Sequence, residues 1–389
     1  MKKFKLISFV LIAALLCGCS KSGSTSIASE SSDKSSDFSQ IENPFSENTE
    51  SESVSEVIGS NSSNDGESSE IDPKYKAFYD AFPFEELSSG AGIIYDKIEW
   101  VDSETMKIPI YCGGYEPKET TRCGFILLCD GIVQEYSCDE ADDNKNPAVF
   151  HTFKYINDTS DGSESIDIPT YWLTLKPKLD KNSNVHTITS LNITNVAYFG
   201  RLDNFGLNLN VNQQYNFAYK FDIRKASVEY ADFKVYEAPK AEPLTDEQCR
   251  NLQINPNDTA YNYWPRIFTS EHAYDFVLQR AMAPNAENGK LKLKFVGGGG
   301  KPGKQKMRGS VYVNGKHTKF NGDYDYFEFT IEGGCVNDID IELENINIGD
   351  AIFATAIPID YAGNYRSCVT DITTVLDEAD IPGNASSQS

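Results

Sequence analysis

Apolar positions come in two kinds along this chain. Residues 6–16 form a nearly unbroken apolar run of about ten residues behind the basic Lys2, Lys3 and Lys5. That is the length of a secretory h-region and falls short of the ~18 residues that span a bilayer. No other stretch stays apolar for that long. From residue 72 onward the apolar residues come in short runs, many alternating with polar ones, between Gly, Asn and Asp. Period-two alternation places every second side chain on one face and predicts strands. The runs at 107–112, 125–129, 151–156, 165–175, 185–196, 215–223, 227–236, 290–298, 309–313 and 326–331 are each read as a strand. Two short helical stretches are expected, one over 72–86 and one after Thr245, where Gln248 three residues on completes a capping box. Residues 20–70 are mainly Ser, Glu, Asp and Asn. Such a segment buries too little apolar surface to offset its ordering entropy and is read as a disordered linker with a span of about 40 Å.

An internal repeat organises the β-rich part. Ile94, Tyr95 and Asp96 precede the strand that ends in Gly113 and Gly114, and then the run that ends in Asp130-Gly131. Ala273, Tyr274 and Asp275 precede the strand that ends in Gly297 and Gly298, and then the run that ends in Asn314-Gly315. Gly113 and Gly131 are separated by the same spacing as Gly297 and Gly315. Asp-Gly and Asn-Gly after a strand suit two-residue hairpins, whose central residues need positive φ. The strands at 151–156 and 326–331 correspond as well. Short strands with hairpins in units of this size resemble tandem immunoglobulin-like β-sandwiches. The expected fold class is mainly β: two tandem immunoglobulin-like β-sandwich domains after a disordered Ser/Glu-rich linker. The division is a signal peptide over 1–18, a linker over 19–71, a first sandwich over 72–238, a connector over 239–270, a second sandwich over 271–376 and a tail over 377–389.

Leu16, Cys17, Gly18 and Cys19 follow the apolar run, and this segment resembles the lipobox of bacterial lipoproteins. Cys17 stands where that pattern prefers Ala or Ser. The resemblance implies that Cys19 is lipidated and becomes the N-terminus. It places the chain on the extracytoplasmic face of a bacterial membrane, held by its acyl chains.

Charge and cysteines refine this picture. The net charge of −23 argues against nucleic acid and anionic membrane as non-specific partners. Residues 290–319 hold nine basic residues and no acid, whereas 323–350 hold nine acids and no base. Lys290, Lys292 and Lys294 share one strand face, as do Asp338, Asp340 and Glu342. Either these strands are neighbours and their charges pair, or the lysines form an anion-binding face. Seven cysteines lie beyond Cys17 and Cys19. Either they are reduced core residues, or the Asp130-Gly131 hairpin sets Cys123 opposite Cys138 for a disulfide.

Signatures of catalysis are missing. Gly298–Lys304 begins like a phosphate-binding loop, but Gln305 replaces the hydroxyl residue and the continuation reads as a strand. The stretch 157–162 lacks the bidentate acid of a calcium loop twelve positions on, where Ile168 stands. The histidines 151, 186, 272 and 317 are scattered, and neither HExxH nor GxSxG occurs. Neither metal nor cofactor is expected. Trp172, Trp264, Tyr261 and Tyr263 are candidate stacking platforms for sugar rings. The resulting expectation is a non-enzymatic binding or display module for a wall polysaccharide, glycan or surface protein. The alternatives are the solute-binding lipoprotein of an importer, or an extracellular hydrolase with a diffuse site.

Overall fold

A computed structural model describes residues 73–75, 89–114, 122–138, 145–157, 169–199, 208–214, 219–223, 227–251, 264–269, 288–299, 304–359, 367–370 and 372–377. The expected signal segment, Cys19, the linker, Tyr261 and Tyr263 lie outside these residues. The described residues are mainly β, in several antiparallel sheets.

The first half contributes β1 (Ser89–Ile93), β2 (Met106–Gly114), β3 (Arg122–Cys129), β4 (His151–Lys154), β5 (Tyr171–Leu175), β6 (Thr187–Phe199) and β7 (Asn208–Gln214). Between the two halves come β8 (Val235–Glu237) and α1 (Asp246–Asn251). The second half contributes β9 (Trp264–Thr269), β10 (Lys290–Gly299), β11 (Lys304–Val313), β12 (Tyr326–Glu332), β13 (Cys335–Glu344), β14 (Ala351–Pro358), β15 (Cys368–Val369) and β16 (Ile372–Thr374).

The two halves repeat one topology. In the first, β2 pairs antiparallel with β1 and β5, while β3 pairs with β4 and β6, and β6 with β7. In the second, β10 pairs with β9 and β13, while β11 pairs with β12 and β14, and β14 with β16. Counting only the strands named above, each half is thus a β-sandwich unit with three strands facing four, a division of the immunoglobulin type, and short strands extend the sheets. The equivalent turns have equivalent geometry. Asp130 and Gly131 have φ of 52° and 73°, Asn314 and Gly315 have φ of 50° and 74°, and each pair closes a two-residue hairpin.

The last strands of the two units pair with each other. Asn208 of β7 registers with Thr373 of β16, and Leu209 with Ile372. The four-strand sheets therefore join into one continuous sheet, which β8 extends by pairing parallel to β12. Joining the terminal strands removes two open edges, where unpaired N–H and C=O groups would template association.

Alternation explains how one sheet serves three cores. Cys123, Phe125, Leu127 and Cys129 of β3 point into the core of the first unit, with Ile108 and Ile110 of β2 and Leu173 of β5. Ile126 and Leu128 point the other way, into a core shared with Leu191 of β6, Tyr312 of β11 and Phe353 of β14. Met307 and Val311 of β11 and Ala354 and Ala356 of β14 face the core of the second unit, with Leu293, Phe295 and Ile341. Strands buried on both faces lose their polar alternation, which is why β3 and β14 read as continuous apolar runs.

Local expectations met mixed outcomes. The capping box is present: the Gln248 amide donates to Thr245 Oγ1 at 3.1 Å and the Thr245 amide donates to Gln248 Oε1 at 2.9 Å. Of the helix expected over 72–86, the described part is a 3-10 turn at Pro73–Tyr75. The single strand expected over 227–236 is instead a short pairing at Glu229–Tyr230 followed by β8. The break falls where Phe233 turns toward the shared core and Arg308. Strand β7 was not anticipated, because its Asn and Gln residues mask its period.

Gly315 is held by both backbone and packing. A Cβ there would meet Phe150 at 2.6 Å and would sit on a residue with φ of 74°. At Gly322, with φ of 89°, the space is open. Gly322→Ala is expected to cost about 1 kcal/mol of backbone strain. Gly315→Ala is expected to cost about 1–3 kcal/mol more through overpacking against Phe150. Urea midpoints of the two variants measure the difference.

Candidate functional site

Arg308 lies on β11, opposite Glu328 of β12. Its even-numbered face looks toward the first unit, and its guanidinium reaches that unit directly. Nη1 donates to the backbone carbonyl of Asp130 at 2.7 Å, and Nη2 donates to Asp180 Oδ2 at 2.7 Å. Nε and Nη2 donate to Glu328 Oε1 at 2.9 and 2.6 Å. Arg308 and Glu328 are only 3% and 4% exposed, so this is a desolvated ion cluster. Lys306 pairs with the other oxygen of Glu328. The guanidinium carbon stands 4.8 Å from the centre of the Phe233 ring and 5.8 Å from that of Tyr326, within cation–π range.

The first unit presents its half of the cluster from the Asp130-Gly131 hairpin. Asp130 Oδ1 accepts the Thr187 amide at 2.8 Å. Its Oδ2 accepts the Asp180 amide at 3.2 Å and Nδ1–H of His186 at 2.7 Å. Gly131 docks closely on the second unit: a Cβ there would meet Ile359 at 2.8 Å and Arg308 Cβ at 3.4 Å. The turn that closes β3 is therefore also the turn that seats one unit on the other.

Asp180 Oδ1 accepts the Asn182 amide at 2.8 Å. Burial pushes the Asp180 carboxyl up. The Arg308 hydrogen bond, the Asn182 amide and the charges of Arg308 and Lys306 outweigh burial and leave it below its ordinary value. The cluster floors a cleft of about 360 Å³, also lined by Asn182, Ser183, Phe233, Val235 and Glu237. Asn182 and Glu237 are exposed at its rim.

Of the residues expected from sequence to contact a ligand, Lys290, Lys292, Lys294 and Trp172 lie elsewhere. Lys290, Lys292 and Lys294 on β10 register with Glu344, Glu342 and Asp340 on β13. Lys290 Nζ is 2.9 Å from Glu344 and 3.1 Å from Glu342, and Lys294 Nζ is 2.9 Å from Asp340. The two charge runs are neighbours, and this face alternates in sign rather than being positive. Such exposed pairs contribute ~0.2–1 kcal/mol each. Trp172 is partly buried on β5 opposite Pro109, and Trp264 opens β9 opposite Gly298. The two tryptophans thus lie in different sheets.

The register expected for Cys123 and Cys138 is corrected. After the hairpin, pairing with β3 passes to β4, so that Cys123 stands opposite Phe153. Both cysteines are buried thiols. Among the described residues no group of His, Cys, Asp and Glu is arranged to hold a metal ion.

The Arg308 cluster was missed by sequence reasoning. Its signals were present: the Asp130-Gly131 turn, Lys306 and Arg308 in the basic run, and Glu328 in the acidic one. What was lacking was any indication that β11 is buried on both faces. Comparison of the sequence with known family models and with curated proteins finds no match.

Removing one partner from a buried ion cluster leaves the others uncompensated. Arg308→Met is expected to cost about 3–5 kcal/mol at neutral pH, read from the urea midpoint. Asp180 gives the cluster an acid limb. Its folded pKa is depressed, so its contribution is present above the unfolded value near 3.9 and is lost as pH falls through the folded value. Asp180→Asn should lower stability at pH 7 and flatten the decline below about pH 4. An unchanged acid limb would contradict this assignment.

Proposed function

We propose that this chain is a lipid-anchored protein of the extracytoplasmic face of a bacterial membrane, and that its β-sandwich units bind a hydroxyl-rich wall polysaccharide or glycan without transforming it. Cys19 carries the acyl chains in this reading, and residues 20–70 hold the folded part away from the bilayer. The segment over residues 1–19 supports the anchor by its resemblance to a lipobox.

One observation carries the binding reading: the buried carboxylates beside Arg308, those of Asp130, Asp180 and Glu328, are already committed to fixed partners. A glycosidase needs one carboxylic acid that keeps its proton near neutral pH. Asp180 is held ionised by Arg308, and the Asp130 carboxylate accepts bonds from Thr187, Asp180 and His186. Acceptors held in place by such bonds suit ligand hydroxyls rather than proton transfer. Phe233 supplies an apolar wall, and Asn182 and Glu237 supply rim groups. The match between acceptors, amide and aromatic wall favours a neutral glycan over an anionic polymer.

Two measurements test this proposal. In an exporting bacterial host fed a tagged fatty acid, the wild-type chain should carry label and pellet with membranes, and Cys19→Ala should do neither. Labelled Cys19→Ala protein would remove the anchor from the proposal. Separately, the full chain in mild detergent is titrated with a panel of wall polysaccharides. Binding should be insensitive to salt and should fall about tenfold, or ~1.4 kcal/mol, in the Asn182→Ala/Glu237→Ala double variant, with the urea midpoint unchanged. Unaltered affinity would place the ligand elsewhere, and release of new reducing ends would make the protein a hydrolase.

A further inference from the structure

The chain crosses from the first unit to the second along residues 229–238, and this strap forms one wall of the cleft. It begins on the first unit, where Glu229 and Tyr230 pair parallel with Lys178 and Leu179 and the Ala231 amide donates to the Leu179 carbonyl at 3.0 Å. The next residue of that partner segment is Asp180, at the cleft floor. The strap ends on the second unit as β8, a three-residue strand at the outer edge of its sheet. Alternation divides its side chains. Phe233, Val235 and Glu237 line the cleft, whereas Tyr236 and Ala238 pack on the core of the second unit.

A clamp from the turn before β12 grips this strap between Phe233 and Val235. Asp325 Oδ2 accepts the Lys234 amide at 2.9 Å, and the Lys234 carbonyl accepts the Asp325 and Tyr326 amides at 2.9 and 3.2 Å. Lys234 Nζ pairs with Asp323, which also holds Lys319 at 2.6 Å. The turn is itself anchored to β13: the Asn321 amide donates to the Glu342 carbonyl at 2.9 Å, and the Glu342 amide donates to Asn321 Oδ1 at 2.6 Å. The Asp325 side chain is 19% exposed, against 54% for Asp323. A charge-assisted bond to an amide in the more sheltered place outweighs an exposed ion pair. Asp325 itself does not line the cleft. We propose that Asp325 is a positioning residue of the cleft: by accepting the Lys234 amide it holds Phe233, Val235 and Glu237 in the arrangement that binds the glycan. This rests on the binding reading above. A short edge strand opens locally at less cost than the core. A site that exists only while the strap is closed binds with an affinity reduced by the fraction of time it is open.

The test titrates the full chain in mild detergent with the tightest-binding wall polysaccharide of the panel, and follows amide hydrogen exchange by mass spectrometry. Asp325→Ala should weaken binding about three- to tenfold, the effect of losing one such hydrogen bond. It should also speed exchange of the amides over 234–238 and leave exchange in the rest of the sheets unchanged. Asp325→Asn keeps an oxygen acceptor at this point and should restore both. Lys234→Ala keeps its amide, loses only the ion pair with Asp323, and should weaken binding less than Asp325→Ala does. Unchanged affinity in Asp325→Ala overturns the inference; if Asn182→Ala/Glu237→Ala still weakens binding, the cleft reading stands without it. A loss that Asp325→Asn does not restore, or faster exchange throughout both units, marks a general structural role and also overturns it. A wild-type chain that binds no polysaccharide of the panel removes the binding reading, and this inference with it.

Discussion

A guanidinium withdrawn from water sets the terms for the rest of this molecule. Arg308 is shared between a carboxylate of its own unit, Glu328, and two groups of the other unit, Asp180 and the Asp130 carbonyl. Desolvating such charges costs several kcal/mol per ion before pairing, so the cluster is a weak source of net stability. Its effect is on specificity. A shift of one unit against the other would leave a buried cation or anion without its partner, whereas the apolar core beside it would tolerate sliding. The cluster therefore fixes which arrangement of two sandwiches is native, and the shared core supplies the driving force.

Backbone pairing at β7 and β16 complements the charge lock. Hydrogen bonds join the two four-strand sheets through their last strands, and Ile126, Leu128, Tyr312 and Phe353 then pack between them. A β-sandwich is ordinarily content with one buried face per sheet. Here the joined sheet is buried on both faces over much of its length, each large side chain contributing roughly 1.5–3 kcal/mol by removal from water. Along the doubly buried part of these strands few side chains reach solvent. The charged residues buried there, Arg308 and Glu328, are satisfied internally by each other and by the first unit.

That double burial also explains what the sequence revealed and what it hid. The hairpins were legible because Asp130-Gly131 and Asn314-Gly315 state a positive-φ requirement locally. The repeat was legible because the glycine spacing is preserved. The pairing of the lysine and acid strands was one of two open readings, and the geometry of β10 and β13 decided it. The Arg308 cluster was not legible, since its members are spread from Asp130 to Glu328 and meet only through the association of the units. The cysteine register failed for a related reason. A hairpin count predicts the partner only while the returning strand stays paired, and after Val133 the chain leaves the ladder and yields to β4.

Rigidity of the cluster bears on what its cleft can bind. A ligand entering there meets acceptors whose positions are already determined by ion pairs and amides, so little ordering remains to oppose association. The same commitment limits affinity for cations, because the negative charge of Asp180 and Glu328 is largely answered by Arg308 and Lys306. What is left unanswered is lone-pair capacity: ionised carboxylates accept more hydrogen bonds than their present partners supply. A neutral ligand rich in hydroxyl donors uses that capacity without requiring any charge in the cluster to move. A proton-transfer reaction at Asp180 or Glu328 would have to displace Arg308 first, and with it the contact that holds the two units in register.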